Sequence, residues 1–278
     1  MYNFSKYHGL GNDFILFDAV EQHPNLLDSL STDKIQWLCT PKYGVGGDGI
    51  IVITPTDEAD FGMRLFNADG SEAELSGNGL RCLALFIRDR GLTSEKHLRI
   101  KTGGGINTVE IMPGGRVRAG MPQPDFRREH IPMTGSGECV GQELLFDGKF
   151  FLVTALAVGN PHCVLFGKFS LEEILRWGPV IENSEYFPSR VNVEFASLTE
   201  DGGIDLTVFE RGVGVTDACG TGATAAVCAA IKTGKLQFDR PVTVRQKGGD
   251  LEIIATDEFE QVFLTGEAAA VFSGEIEL

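Results

Sequence analysis

The chain has 278 residues, enough for about two domains whose cores need no disulfide or metal to hold them. With 24 Lys and Arg against 39 Asp and Glu, the net charge of −15 repels phosphate backbones and anionic lipid, which argues against nucleic acid and membrane surfaces as partners. At 42% hydrophobic and 23% charged residues the chain falls outside the disordered class, and its longest apolar run, Phe150 to Val158, is far short of the ~20 residues that span a bilayer. Alternating or β-branched runs then predict a strand at Phe14 to Phe17, a helix at Asp33 to Cys39, and strands at Ile50 to Thr54 and Arg64 to Phe66. A helix follows at Gly79 to Arg90, with strands at Leu98 to Lys101, Asn107 to Met112, Arg116 to Ala119 and Phe151 to Ala157. The remainder reads as helix Leu171 to Trp177, strand Asp205 to Phe209, helix Gly222 to Lys232, and strands Val242 to Arg245 and Leu251 to Ile254. Pro113-Gly114-Gly115 and Gly248-Gly249 are hairpin turn signals between alternating runs. No basic, apolar and small-residue succession opens residues 1 to 17, and the six cysteines contain no CxxC pair or zinc-finger spacing; a cytoplasmic protein with reduced thiols is expected.

The 35 glycines are clustered, at Gly44 to Gly49, Gly77 to Gly79, Gly103 to Gly105, Gly212 to Gly222 and Gly248 to Gly249. Phe66, Ser76, Gly77, Gly79 and Gly91 match Phe209, Cys219, Gly220, Gly222 and Gly234, each pair 143 residues apart. Gly11-Asn12 against Gly159-Asn160 is 148 apart, and Gly103-Gly104 against Gly248-Gly249 is 145 apart. Each half thus runs strand, polar loop, small-Gly-x-Gly turn, helix, Gly stop, which predicts two similar domains joined near Met121-Pro122-Gln123-Pro124.

In each half the glycine turn opens a helix, whose first N–H groups lack intrahelical partners and carry the positive end of the dipole. Such a turn is an anion site. In the second half it places Cys219 at the helix start, where the dipole is expected to lower the thiol pKa below its ordinary value of about 8.5. Two domains related by a pseudo-twofold would offer one carboxylate two sets of amides and flank it with positions 76 and 219. A reaction that inverts a stereocentre needs a base on one face and a conjugate acid on the other, so this layout points to a racemase or epimerase. Gly44 to Gly49 formally matches GxGxxG but follows a helix and enters a strand, the reverse of a dinucleotide fingerprint. The five histidines have no paired spacing, so a metal site has little support, and no pyridoxal site is evident.

These residues resemble the diaminopimelate epimerases, which invert one α-carbon of diaminopimelate without a cofactor. The likeness covers essentially the whole chain, on Lys6 to Phe14, Gly44 to Gly49, Phe66 to Ser71, Gly77-Asn78-Gly79, Gly159 to His162, Arg190-Val191-Asn192, Glu210-Arg211-Gly212 and Ala218 to Gly222. It implies an α/β (α+β) fold of two pseudo-symmetric domains, each a curved β-sheet or barrel wrapped around a central helix. The domains would be residues 1–120 plus 267–278, and 121–266, because the last strand returns to the first domain. By resemblance Cys219 is one acid/base thiol, and Gly77, Asn78, Gly220 and Thr221 hold the reacting α-carboxylate. Asn67, Asn160, Asn192 and Arg211 grip the distal end with Asn12 nearby, while His162 and Glu210 tune the thiols. Arg211 suits bidentate pairing with a carboxylate, and Glu210 can receive an ammonium. Standing alone each has a plainer reading: a turn asparagine, a solvated Glu-Arg pair, a Gly-Asn-Pro-His loop. The resemblance also implies a homodimer, a small amino-acid substrate and a place in lysine and cell-wall precursor biosynthesis.

The family pattern calls for a second catalytic cysteine where this chain has Ser76. A serine hydroxyl is nearly isosteric with a thiol but a much weaker acid, so it needs an activating neighbour to act as a base. Three readings stay open: an engineered replacement that arrests turnover, a natural variant using the hydroxyl or a relayed water, or a one-base relative such as a dehydratase. A further alternative is a catalytically inactive amino-acid-binding relative. Gly49, where some members of the family carry a glutamine, leaves room for another amino acid with a polar distal end and hence for a related racemase.

Overall fold

The structure, a computed structural model, describes residues 1–278 and divides them into two compact units, Met1–Gly120 with Thr265–Leu278, and Met121–Leu264. In the first, β1 (Tyr2–Gly9) and β2 (Asn12–Asp18) form a hairpin, and β2 pairs in parallel with β3 (Gly49–Thr54) after α1 (Leu26–Ser29) and α2 (Thr32–Cys39). The continuous apolar run of β3 is buried on both faces, as a strand with neighbours on either side requires. Next comes β4 (Phe61–Asn67), antiparallel to β3; it carries the short β5 (Glu72–Ala73) and pairs in parallel with β6 (His97–Thr102) across the helix α3 (Gly77–Arg90). Antiparallel β7 (Gly105–Ile111) and β8 (Arg116–Met121) complete the run, and the C-terminal strand Ala269–Ile276 pairs with β1.

The second unit repeats this order pair for pair. Strands β9 (Gln142–Phe146), β10 (Lys149–Ala157) and β11 (Pro161–Phe166) are antiparallel neighbours, and β11 is parallel to β12 (Asn192–Leu198) across α4 (Leu171–Glu182). Antiparallel to β12 lies β13 (Ile204–Glu210), which carries β14 (Gly214–Thr216) and pairs in parallel with β15 (Val242–Gln246) across α5 (Gly220–Lys232); β16 (Gly249–Ala255), antiparallel to β15, and then β17 (Val262–Glu267) follow. The 143-residue repeat read from the glycines is therefore a repeat of structure.

In both units the repeated helix is the centre of the core. Ten of the fourteen residues of α3 are buried, too many for a surface helix with one apolar stripe. The small side chains of Ala223, Ala225, Ala226, Ala229 and Ala230, all 0% exposed, let strands approach α5 from every side. Both helices stop at the matched glycines: Gly91 and Gly234 have φ of +69° and +70°, the left-handed closure that a side chain resists. Both start two residues earlier than the sequence suggests, because Ser76 and Cys219 act as N-caps and draw the following glycines into the first turn.

Helix α4 corrects a shorter expectation. The helix expected at Leu171 to Trp177 continues through Gly178 and Pro179 to Glu182, because burial of Ile174, Trp177 and Ile181 along one face outweighs the backbone bond that Pro179 forfeits. Strands β1, β9, β11, β12 and the C-terminal strand were not visible as alternation. In β1 and β12 buried polar residues, among them Lys6 and Glu194, interrupt the apolar pattern. All six cysteines are free, no group of His, Cys, Asp or Glu is arranged to hold a metal ion, and no helix is long and apolar enough to cross a membrane.

Candidate active site

In the first unit the site residues gather at the start of α3. Ser76 has extended backbone (φ −133°, ψ 124°), and its Oγ accepts the Gly79 N–H at 3.1 Å. The amide of buried Asn78 donates from Nδ2 to Asn12 Oδ1 at 3.2 Å, and Asn12 Nδ2 donates to Asp48 Oδ2 at 2.7 Å. Beneath this turn Arg81, 0% exposed, donates to Asn78 Oδ1 at 2.6 Å and to the Gly77 carbonyl at 3.2 Å. Its guanidinium is thus bonded only to neutral oxygens, its Nε has no partner, and burial lowers its pKa to about 10. The turn accordingly has a fixed positive charge under amides that already favour an anion. Asn67 ends β4 at an exposed position, where its Nδ2 donates to Ser71 Oγ at 3.0 Å rather than to Asn12 or Asn78.

The matching turn of the second unit opens α5. Cys219 has nearly the same backbone as Ser76 (φ −131°, ψ 114°); its Sγ accepts the Gly222 N–H at 3.4 Å and lies 3.5 Å from Thr221 Oγ1. Its own N–H donates to Gln246 Oε1 at 2.8 Å, which anchors the turn to β15. Buried Asn192 links two strands: Nδ2 donates to the Pro161 carbonyl at 2.9 Å, and Oδ1 accepts the Arg211 N–H at 2.9 Å. The exposed Arg211 guanidinium donates to the Ser189 carbonyl at 3.3 Å, which leaves most of its fork free. Glu210 Oε1 accepts the Thr216 hydroxyl at 2.6 Å. His162, fully buried, engages Asn160 Oδ1 through Nε2 at 2.7 Å and Glu194 Oε1 through Nδ1 at 2.6 Å.

The expectation of an acidified thiol is corrected. Only 9% of Cys219 is exposed, and burial, followed by the negative charge of Glu210, pushes its pKa up to about 12. The Thr221 hydroxyl and the Gly222 N–H pull the other way, and Glu194 adds to the rise. At a helix N-terminus the dipole acts within one turn, while desolvation acts on the whole charged form, and here desolvation is larger. Cys219 is therefore held as a protonated thiol, suited to donating a proton.

Sequence reasoning missed Arg81, Asp48, Gln246 and Glu194. Arg81 and Glu194 carried a usable sign, a lone charge inside an otherwise apolar helix or strand, since a charge so placed is almost never buried without a partner or a task.

Comparison with solved structures fits the same architecture. A phenazine biosynthesis protein of the PhzF family from Bacillus anthracis aligns over 100% of this chain and 99% of its own, with a TM-score of 0.69 at 21% identity. A hydroxyproline epimerase from Agrobacterium vitis aligns over 99% and 90%, with a TM-score of 0.66 at 13% identity. The class is thus the fold of two repeated domains shared by these proteins. Sequence comparison is more specific: the family model described as diaminopimelate epimerase matches residues 4–126 and 154–271. Diaminopimelate epimerases of Heliobacterium modesticaldum (41% identical, 99% of each chain) and Desulfitobacterium hafniense (42%, covering 97% of this chain and 96% of the relative) are similar over nearly their full length. That of Synechocystis sp. is 42% identical over 99% of each. This chain belongs to the diaminopimelate epimerase family, a family of isomerases.

Proposed function

We propose that the chain interconverts LL- and meso-diaminopimelate by proton transfer at one α-carbon, without pyridoxal phosphate, in lysine and cell-wall precursor biosynthesis. Family membership over nearly the whole chain carries this reading. Cys219 is proposed as the acid/base group on one face of the α-carbon, with position 76 as its counterpart on the other. One group takes the α-proton, the electron pair is held at the α-carbon and its carboxylate, and the conjugate acid of the other delivers a proton from the opposite face.

The amides and side chains of Gly77, Asn78, Gly220 and Thr221 are assigned to the α-carboxylate, where N–H groups stabilise the charge that builds up as the proton leaves. Asn67, Asn160, Asn192 and Arg211 are assigned to the distal amino-acid end, with Asn12 holding the Asn78 amide. Glu210 is assigned to a substrate ammonium. That pairing would offset the largest electrostatic contribution holding the Cys219 thiol up and so ready it to exchange its proton. A cytoplasmic homodimer is proposed as the working form.

The test is incubation with LL-diaminopimelate in D2O, with the α-proton followed by NMR and the isomers separated by chromatography. Solvent deuterium entering the α-position together with conversion to the meso isomer is the expected result. Folded protein that gives neither exchange nor inversion between pH 6 and 10 would overturn the proposal.

A further inference from the structure

Glu194 has no role in the reading above, yet it is among the most costly residues of the second unit. It lies in the middle of β12 with its side chain 0% exposed. One oxygen, Oε1, is 2.6 Å from His162 Nδ1, while Oε2 is buried without any hydrogen-bond partner. An apolar side chain would serve a doubly buried strand better, because a carboxylate with unused acceptor capacity is expensive to desolvate. Its surroundings suggest why it is there. A Cβ placed on Gly222 would lie 3.0 Å from Val208 Cγ2, 3.1 Å from Glu194 Oε1 and 3.3 Å from Cys219 Sγ, so carboxylate and thiol border the same small space over this glycine. The titratable groups facing Glu194 are His162 and Cys163 from β11, Glu210 from β13 and Cys219 from α5.

We propose that Glu194 is a positioning residue of this site: held by its hydrogen bond to His162, its buried carboxyl stands beside Cys219, and the charge of that carboxyl governs how readily Cys219 gives up its own proton. The inference rests on the reading of Cys219 as the acid/base thiol. With the carboxyl protonated, β12 presents no charge to the thiol. Once that proton leaves, a negative charge a few ångströms away holds Cys219 in its SH form. Burial pushes Glu194 up to about 7, so the switch between these states falls in the working range. Carboxyl and thiol therefore titrate as one coupled system, in which the proton lost from the first makes that of the second harder to remove.

The test uses Cys219 alkylation by iodoacetamide as a function of pH, read by peptide mass spectrometry so that the other five thiols do not interfere. Glu194→Gln removes the charge and keeps the shape. Its alkylation profile should move to lower pH by about one unit, roughly a tenfold faster reaction at pH 8. Glu194→Asp should return the profile toward the wild type, which a merely structural role for the side chain would not do. An unchanged profile in a folded Glu194→Gln protein overturns the inference. Should that variant not fold, the Glu194 carboxyl carbon of the wild-type protein is followed by 13C NMR. A step in its shift near pH 7, with the Cys219 Cβ resonance moving at the same pH, is expected, and its absence is equally fatal. Because alkylation needs no turnover, a shifted profile in a protein without epimerase activity would reject the proposed function and leave this coupling standing.

Discussion

Ser76→Cys is the most informative substitution, because the two N-caps are close to interchangeable. Their backbone angles differ by 2° in φ and 10° in ψ, and their side chains accept the third amide beyond at 3.1 and 3.4 Å. A thiol at 76 therefore keeps the cap, and the stability change should stay within about 1 kcal/mol. Chemically the change is large. Ser76 is only half-buried, so an introduced thiol escapes most of the desolvation that raises Cys219 and stays near its ordinary pKa of about 8.5, roughly a quarter thiolate at pH 8. A serine hydroxyl is a much weaker acid and supplies far less base at that pH. Correctly placed acid/base groups contribute about 10²–10⁴-fold, so the rate of inversion should rise by two to four decades with KM changing little. Conversion of LL- to meso-diaminopimelate is followed by chromatography at pH 8, with α-deuterium incorporation measured in parallel. A folded Ser76→Cys protein that binds substrate but inverts it less than about tenfold faster than the wild type would refute the pairing of positions 76 and 219.

Three further outcomes are expected. Cys219→Ser should keep the α5 cap, as Ser76 keeps that of α3, and so leave Tm within a few degrees, while α-proton exchange falls by about 10²–10⁴-fold; full exchange activity in that protein would remove the thiol from the mechanism. Arg81→Met removes the donor to Asn78 Oδ1 and the positive charge beneath the turn. Loss of a charged hydrogen bond, about 1.5–3 kcal/mol, should weaken diaminopimelate binding by roughly ten- to a hundredfold in calorimetry, and unchanged affinity would make Arg81 a packing residue only. Glu194 gives a pH-dependent stability. Its folded pKa is raised by burial from 4.5 to about 7, so its contribution is fully present below pH 4.5 and is lost as pH rises through 7. In urea denaturation the advantage of Glu194→Gln over the wild type should accordingly grow between pH 5 and pH 8.5, by at most about 3 kcal/mol; an advantage independent of pH would contradict the buried titration.

The repeat was legible in the sequence because it rests on residues whose backbone demands are visible without a partner. Gly91 and Gly234 close helices in the left-handed region, and Ser76 and Cys219 cap them, so their spacing reports structure directly. Helix α4 was legible only in part, since Pro179 is a local veto that burial of Ile181 overrides. Strand β12 was not legible, because Asn192 and Glu194 sit on buried faces where alternation expects apolar residues. Most of the candidate residues lie at strand ends and helix starts, positions marked by glycine and asparagine. The ones that escaped, Arg81 and Glu194, lie inside elements.

That difference bears on how the thiol works. A helix N-terminus read from sequence predicts an acidic cysteine, and the structure shows that the same turn is too deeply packed for that prediction to hold. Packing of this density follows from the alanines of α5, which bring strands against every side of the helix; at its start Cys219 and Gly222 are buried while Gly220 and Thr221 stay half-buried. A chain that simply needed a nucleophilic thiolate would be better served by an exposed helix start. Acid and base roles that alternate with the direction of the reaction call instead for a thiol whose proton is held until the charges around it change. In the proposed reading two carboxylates make that change, Glu210 when a substrate ammonium pairs with it and Glu194, hydrogen-bonded to His162, when its buried carboxyl gains or loses a proton.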